Sequence, residues 1–524
     1  MTANTLGNRE KLALLTLSLV ALTVGTDFTG ILLLVPPIEA AFGIDITTAQ
    51  WIVNTYALTF GMFMVAGGKL GDTYGRHLLI GIGLTLFVLS SLICSLAADV
   101  SVLIFGRALQ GLGAAMIWPN AIGEAATVVP EETRSIAIGL ILASVTTGNV
   151  VGPLLSGVLT EFASWRYFFG INAVLSLLCL MLCIFVLPKS ETDLERERVD
   201  LAGIATLGLA SLGLLYALDV GADWGWLDRN LLIIVGASAV LFAVFPLIEG
   251  RVKEPMVSPH WLGNRQFFIF LILNGLAMPA VFAGFLYFPQ YLAKVLGWTG
   301  LSVSYGITPM MMTLAVVSFV SGVIYPRTRP RNLIAGGFCA VAIGLLVFIL
   351  GSPSLGYTAA MVSMVLMAFG GALVVGPAGT ATVSLVPEKN AALASGLGFM
   401  VHLVVGAIGL AGATAILYGS SLSNLTTSLA TAGIKLSSKD ITTLNAAARD
   451  NPQVIELMAK LDSRTVTQLH AAMREAFETG MINAYWVGFG FVILGLVLAL
   501  IVDDQTSNSA LLDTRTDTDE PSQQ

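Results

Sequence analysis

The chain has 524 residues, 56% of them hydrophobic and only 11% charged, with a mean hydropathy of +0.83. That balance excludes a soluble globular protein and implies an integral membrane protein. The net charge of −7 lies mostly in the Asp513 to Glu520 tail and the loops, and no basic stripe runs along the chain, so nucleic acid is not an expected partner.

A helix needs about 20 apolar residues to cross a bilayer, and in lipid only a helix or a closed barrel satisfies its own backbone. With Pro, Gly and charged clusters as boundaries, fourteen spans are predicted: 12–36, 50–68, 78–97, 101–125, 135–158, 165–187, 201–219, 231–249, 266–292, 301–325, 332–350, 355–383, 391–418 and 481–502. About ten residues precede span 1 and no small-residue cleavage site follows it, so it reads as a retained helix. Cys94, Cys179, Cys183 and Cys339 fall within spans as small hydrophobes, and neither a disulfide nor a metal nor a cofactor is expected. Lys and Arg crowd alternate loops, as at Lys69, Arg76, Arg134, Lys189, Arg251 and Arg327, whereas the short opposite loops hold Arg166, Arg229 and Lys294. This bias predicts both termini in the cytoplasm and a long external loop over 419–480, with a surface helix from Thr465 to Thr479 opened by Asp462 or Ser463.

The chain repeats itself. Gly111 to Gly139 and Gly370 to Gly396 each pair a small-residue helix with a Val-Pro-Glu turn and a Gly nine residues after that proline. Spans 4 and 5 therefore match spans 12 and 13. The organisation expected is a six-helix half over 1–188, a linker with two extra spans over 189–260, a second six-helix half over 261–502 and a disordered tail over 503–524. Parallel halves of this kind place a substrate path at their interface.

Between spans 2 and 3 the chain reads Gly68-Lys69-Leu70-Gly71-Asp72-Thr73-Tyr74-Gly75-Arg76, in which glycines permit a tight turn and Asp72 can pair with Arg76. Span 4 carries Arg107-Ala108-Leu109-Gln110-Gly111, and span 5 carries Gly148, Gly152, Pro153 and Gly157 around Ser156. Span 1 carries Thr26-Asp27-Phe28-Thr29 followed by Pro36-Pro37. Together these segments resemble the G-x-L-x-D-x-x-G-R, R-x-x-Q-G, G-x-x-x-G-P-x-x-G-G and L-D-x-T…P motifs of the major facilitator superfamily, and in particular of its fourteen-helix drug:proton antiporters. Thr26 replaces the usual Leu, and Ser156 the usual Gly. The resemblance implies an all-α membrane fold of two six-helix halves plus two central helices. It also implies a span 5 face that packs against the second half and favours exchange. In span 13 His402 takes the place of an Arg common in such transporters, and the loop Tyr325 to Arg331 keeps charge but loses the Gly-Asp core.

Depth arithmetic sorts the polar groups. At 1.5 Å per residue, Asp27 lies roughly 22 Å along span 1 from its cytoplasmic end and Arg107 roughly 9 Å from the outer end of span 4, similar levels in a core about 30 Å thick. Asp27, Arg107, Gln110 and His402 are the candidates for proton coupling and substrate contact, since an ionisable group inside a span must face protein or a water-filled path. Asp72, Arg76 and Glu124, with Gly68 and Gly75, are candidates for a cytoplasmic gate at the membrane surface. Phe28, Asn54, Trp118, Asn120, Asn149 and Asn274 are candidates to line a cavity, and Asp219 is expected to be solvated.

The function expected is proton-coupled export of hydrophobic or amphipathic small molecules, of the multidrug-efflux type, by a monomer in the plasma membrane surrounded by lipid. The alternative is export of one endogenous lipid, siderophore or metabolite. Neither a catalytic cluster at a membrane surface nor a G-x-x-x-x-G-K-[ST] loop is found, so neither an enzyme nor ATP drive is expected.

Overall fold

The computed structural model describes residues 7–44, 46–187, 200–252, 263–298, 301–432 and 462–502, with isolated positions between them. The 189–199 part of the linker and the 503–524 tail lie outside the described residues. All regular structure among the described residues is helical. The first half comprises α1 (Asn8–Gly30), α2 (Val35–Phe42), α3 (Ile46–Tyr74), α4 (Arg76–Ser95), α5 (Val100–Val128), α6 (Arg134–Phe162) and α7 (Trp165–Val186). The extra pair is α8 (Leu201–Trp224) and α9 (Arg229–Glu249). The second half comprises α10 (Arg265–Leu276), α11 (Met278–Lys294), α12 (Leu301–Ile324), α13 (Pro330–Leu355), α14 (Tyr357–Ser384), α15 (Ala391–Thr431) and α16 (Ser463–Ile501).

Thirteen stretches among the described residues are long and apolar enough to cross a membrane, with α10 and α11 forming one of them. The fourteenth expected span is α3, 29 residues long, in which Asn54, Thr55 and Thr59 dilute the apolar run. Two spans differ in detail from the sequence reading. Span 1 breaks at a 3-10 turn, Ile31–Leu33, and resumes as α2 with proline in its first turn, where the missing N–H costs nothing. Span 9 breaks at Ala277, with Pro279 in the first turn of α11.

The loop expected over 419–480 is also shorter than that. α15 continues to Thr431 and α16 begins at Ser463, so the expected surface helix forms the first turns of the last membrane helix. Asp462 caps it by accepting from Arg464 N and Thr465 N. Leu425, Leu429 and Leu469 close a small apolar core between the two extensions.

The repeat is visible in the backbone. Pro130 and Pro387 each precede a 3-10 turn, Glu131–Thr133 and Glu388–Asn390, that joins α5 to α6 and α14 to α15. Each half has its own core, one around Leu17, Met64, Leu84 and Phe87, the other around Phe288, Phe338, Met364 and Tyr485. The halves meet where α6 crosses α12, so closely that a Cβ on Gly139 would stand 2.9 Å from Gly322 Cα. They meet again where α3 and α5 approach α15. Helix α8 lies against both halves: a Cβ on Gly61 of α3 would stand 2.8 Å from Leu215, and Ser211 Oγ lies 3.4 Å from Met400 Sδ of α15.

The small-residue face of α6 does not meet the second half. Gly148 and Gly152 lie against the α1 backbone at Leu22, Thr26 and Gly30, and Gly157 lies near Leu33. Removing side chains here lets α6 press on the helix that carries Asp27, with Pro153 in the same stretch. A Cβ on Gly152 would strike the Thr26 carbonyl oxygen, which is backbone and cannot rotate away. Gly152→Leu should therefore cost at least the about 1–3 kcal/mol typical of overpacking, read as a lower thermal unfolding temperature in detergent. A variant as stable as wild type would remove the close packing from this account.

Candidate functional site

Asp27 is fully buried in α1 and accepts hydrogen bonds from three side chains. Arg107 Nη1 donates to Oδ2 at 2.6 Å, while Gln110 Nε2 and Asn172 Nδ2 donate to Oδ1 at 3.3 and 3.2 Å. Arg107 and Gln110 lie three residues apart on one face of α5, so both reach the same carboxylate. Arg107 also donates through Nη1 to Gln110 Oε1 at 2.7 Å and through Nε to the Ile52 carbonyl of α3 at 3.0 Å. Its guanidinium carbon sits 4.4 Å from the centre of the Tyr56 ring. Gln110 donates onward to Ser91 Oγ of α4 at 2.8 Å. A buried carboxylate and guanidinium are tolerated in such a place because they pair with each other and further hydrogen bonds spread their charge.

A second polar cluster joins the two halves at the end of the bundle rich in Lys and Arg. Arg76 Nε donates to Asp72 Oδ1 at 2.8 Å, and Arg76 Nη1 donates to the Gly123 carbonyl at 3.0 Å. Asp72 then accepts from Leu393 N at 2.7 Å and from Ala392 N at 3.3 Å, in the first turn of α15. Asn390 occupies the N-cap of α15 without capping it through its side chain. The cap comes from the other half of the protein: a carboxylate satisfies two orphan N–H groups at the positive end of a helix. Gly68 permits this approach, lying against the Ala392 backbone. Gly75, at φ 105°, makes the turn into α4 that aims Arg76 back at Asp72.

Between these clusters, on the seam of the halves, is a cavity of about 50 Å3. Trp118, Ile138 and Leu142 wall it from the first half, and Asn274, Gly398 and Phe399 from the second.

Comparison with known proteins identifies the chain. The family profile described as Major Facilitator Superfamily matches residues 17–410. The chain belongs to the major facilitator superfamily. Among curated relatives, it is 30% identical to the puromycin resistance protein pur8 of Streptomyces alboniger over 74% of this chain and 78% of that one. It is 30% identical to the multidrug resistance protein Stp of Mycobacterium tuberculosis over 69% and 67%. Among solved structures, the proton:xylose symporter XylE bound to 6-bromo-6-deoxy-D-glucose superposes with a TM-score of 0.59 over 94% of this chain and 96% of that one, at 15% identity. The superposition extends the facilitator fold across nearly the whole chain.

Within that fold the candidate residues fall into separate places. Of the cavity candidates, Trp118 and Asn274 line the seam. The others do not. Asn120 Nδ2 donates to the Gly67 and Met116 carbonyls at 2.8 and 2.7 Å and ties α3 to α5. Asn54 Nδ2 donates to Asp219 at 2.6 Å and ties α3 to α8, so Asp219 is exposed but held. The Asn149 amide packs beside Gly25, and Phe28 lies exposed against Tyr56. Glu124 is buried under neighbouring side chains and follows directly on Gly123, whose carbonyl Arg76 uses, so it lies beside the Asp72–Arg76 cluster.

His402 is not brought to Asp27. It stacks on Phe399 at 4.9 Å and meets Phe282 edge-on at 5.6 Å, with Nδ1 buried and without a hydrogen-bond partner. The sequence reading missed Asn172. A lone amide in an apolar span was its signal, and nothing in the spacing of α7 indicated a partner in α1.

The dependence of the first cluster on pairing is testable. Arg107→Leu leaves Asp27 buried with its counter-charge gone, which should cost about 3–5 kcal/mol of stability. Adding Asp27→Leu to that variant should recover much of the loss, measured as thermal unfolding of purified protein. An Arg107→Leu protein that unfolds with the wild type would mean that water replaces the guanidinium.

Proposed function

We propose that the protein is a proton-coupled antiporter of the fourteen-helix drug-efflux type that exports hydrophobic or amphipathic small molecules from the cytoplasm. The names of its relatives, which include resistance to puromycin and multidrug resistance, support efflux of small molecules. The observation that carries proton coupling is Asp27, a carboxylate inside a span whose charge is balanced by one guanidinium. Protonating it would leave Arg107 unbalanced, so the two charge states of the site favour different surroundings, and that difference is what links a proton to a conformational change. A single acidic site fits neutral or singly charged substrates.

The positive-inside bias puts the Lys/Arg-rich end and both termini in the cytoplasm. In that orientation the Asp72 cap on α15 acts as a cytoplasmic gate in its closed position. Arg76 holds Asp72 in place and Glu124 contributes its charge beside them. Lateral lipid surrounds the bundle, and the monomer is the transporting unit.

Two measurements test this reading. In cells or proteoliposomes with an imposed proton gradient, Asp27→Asn mimics the protonated form and should reduce gradient-driven dye export to background while the purified variant stays folded. Full substrate accumulation against a gradient by this variant would place coupling elsewhere. Asp72→Asn removes the charge from the α15 cap, so exchange should slow several-fold while substrate affinity stays within a few-fold. Lost affinity with normal turnover would contradict a gate.

A further inference from the structure

Two polar atoms on the seam are used by nothing in the described structure. Trp118 Nε1 and Asn274 Oδ1 are both buried without a hydrogen-bond partner, on side chains only 3% and 5% exposed. One is a pure donor and the other an acceptor. They come from opposite halves, Trp118 from α5 and Asn274 from α10, and both residues line the same cavity. They are two of several buried orphans among the described residues, and what sets them apart is that the residues bearing them, a donor and an acceptor from opposite halves, wall one space.

The remaining wall narrows the reason. None of the residues lining the cavity is ionisable. Asp27 cannot supply a charge to it, being fully buried and engaged by Arg107, Gln110 and Asn172. The Trp118 and Phe399 rings lie 5.0 Å apart at 56° and share the wall of the cavity with Asn274. Gly379 and Gly398 leave room for the Asn274 amide, since a Cβ on either would come within 3.6 or 3.2 Å of its Nδ2. At about 50 Å3 the space holds a few waters at most, so a larger molecule would fit here only in a conformation with the halves further apart.

We propose that this seam is a recognition subsite for neutral, planar molecules bearing a hydrogen-bond acceptor and a donor on opposite edges. Trp118 Nε1 donates to the acceptor, Asn274 Oδ1 accepts from the donor, and the Phe399 ring covers one flat face. The inference rests on the export reading and specifies its substrate class. A cation is disfavoured here because it would enter an apolar wall without a counter-charge.

Three tricyclic probes of one shape separate the contributions. Acridone carries a carbonyl opposite a ring N–H, xanthone has a ring oxygen in place of that N–H, and 9-aminoacridine is a cation at neutral pH. Binding of each to the full-length protein in lipid nanodiscs should rank acridone about tenfold above xanthone, with the cation weakest. Trp118→Phe, which keeps a ring against Phe399, should weaken acridone and xanthone alike by about tenfold, since both present a carbonyl. Asn274→Ala should weaken acridone alone, down to the level of xanthone.

Equal binding of the three probes to wild type overturns the subsite, and this comparison stands even if a variant fails to fold. So does unchanged acridone affinity in both variants, which would mean that water alone serves the two atoms. The export reading fails separately, if cells expressing the protein accumulate a panel of neutral and cationic dyes no less than control cells.

Discussion

The arrangement of the first half depends on one electrostatic constraint: a carboxylate and a guanidinium buried inside membrane-spanning helices must satisfy each other and leave little over. Asp27 takes donors from α5 and α7, and Arg107 spends a further N–H on the α3 backbone. Three helices are thereby held in one register around α1. The glycines of α1 and α6 serve the same end. Gly25 accepts the Val145 backbone, and Gly30 stands with Gly152 where any side chain would push the helices apart. A larger gap would admit lipid or water to the pair, and either would change the cost of its charge.

The second half repeats the helices but not the charge. Where α5 carries Arg107 and Gln110, the matching stretch of α14 carries Met364, Leu366, Met367 and Phe369. Its centre is packed instead by rings, with Phe288, Phe348 and Tyr485 meeting at 5.2 to 5.8 Å. Two parallel repeats of one fold thus divide the work, a polar centre on one side and an apolar one on the other, and the cavity between them takes its aromatic and amide walls from both.

Length and hydropathy made the spans and their number legible, and the repeated Val-Pro-Glu turn made the pairing of the halves legible, because each is a local property of the chain. Depth along a helix was enough to set Asp27 and Arg107 at one level. Depth could not tell that Glu124 is covered, since depth says nothing about which neighbour covers a residue. The amides were harder still. Asn54 and Asn120 sit in spans like Asn274 does, yet each is consumed in tying one helix to another, and only the packed structure separates a tie from a wall. The cap on α15 was beyond reach for a different reason: the local candidate was Asn390, and the residue that caps it is Asp72, 321 positions from Leu393.

The distribution of contacts also constrains how the two polar clusters can communicate. The partners described for Asp27, Arg107 and Gln110 lie on α1, α3, α4, α5 and α7, all in the first half, so a rigid rocking of the halves leaves that cluster intact. The Asp72 cap crosses between halves and must break in the same motion. What joins them is a file of rings: Arg107 over Tyr56, Tyr56 to Phe60 at 5.8 Å, Phe60 to Phe399 at 5.7 Å, and Phe399 to both Trp118 and His402. Phe399 rides on α15, the helix capped by Asp72. A shift of α15 that opens the seam cannot keep Phe399 against Phe60 and Trp118 together, because close-packed rings have discrete arrangements and do not deform continuously. A shift of α15 that released the cap would therefore reach the cover over Arg107 through packing.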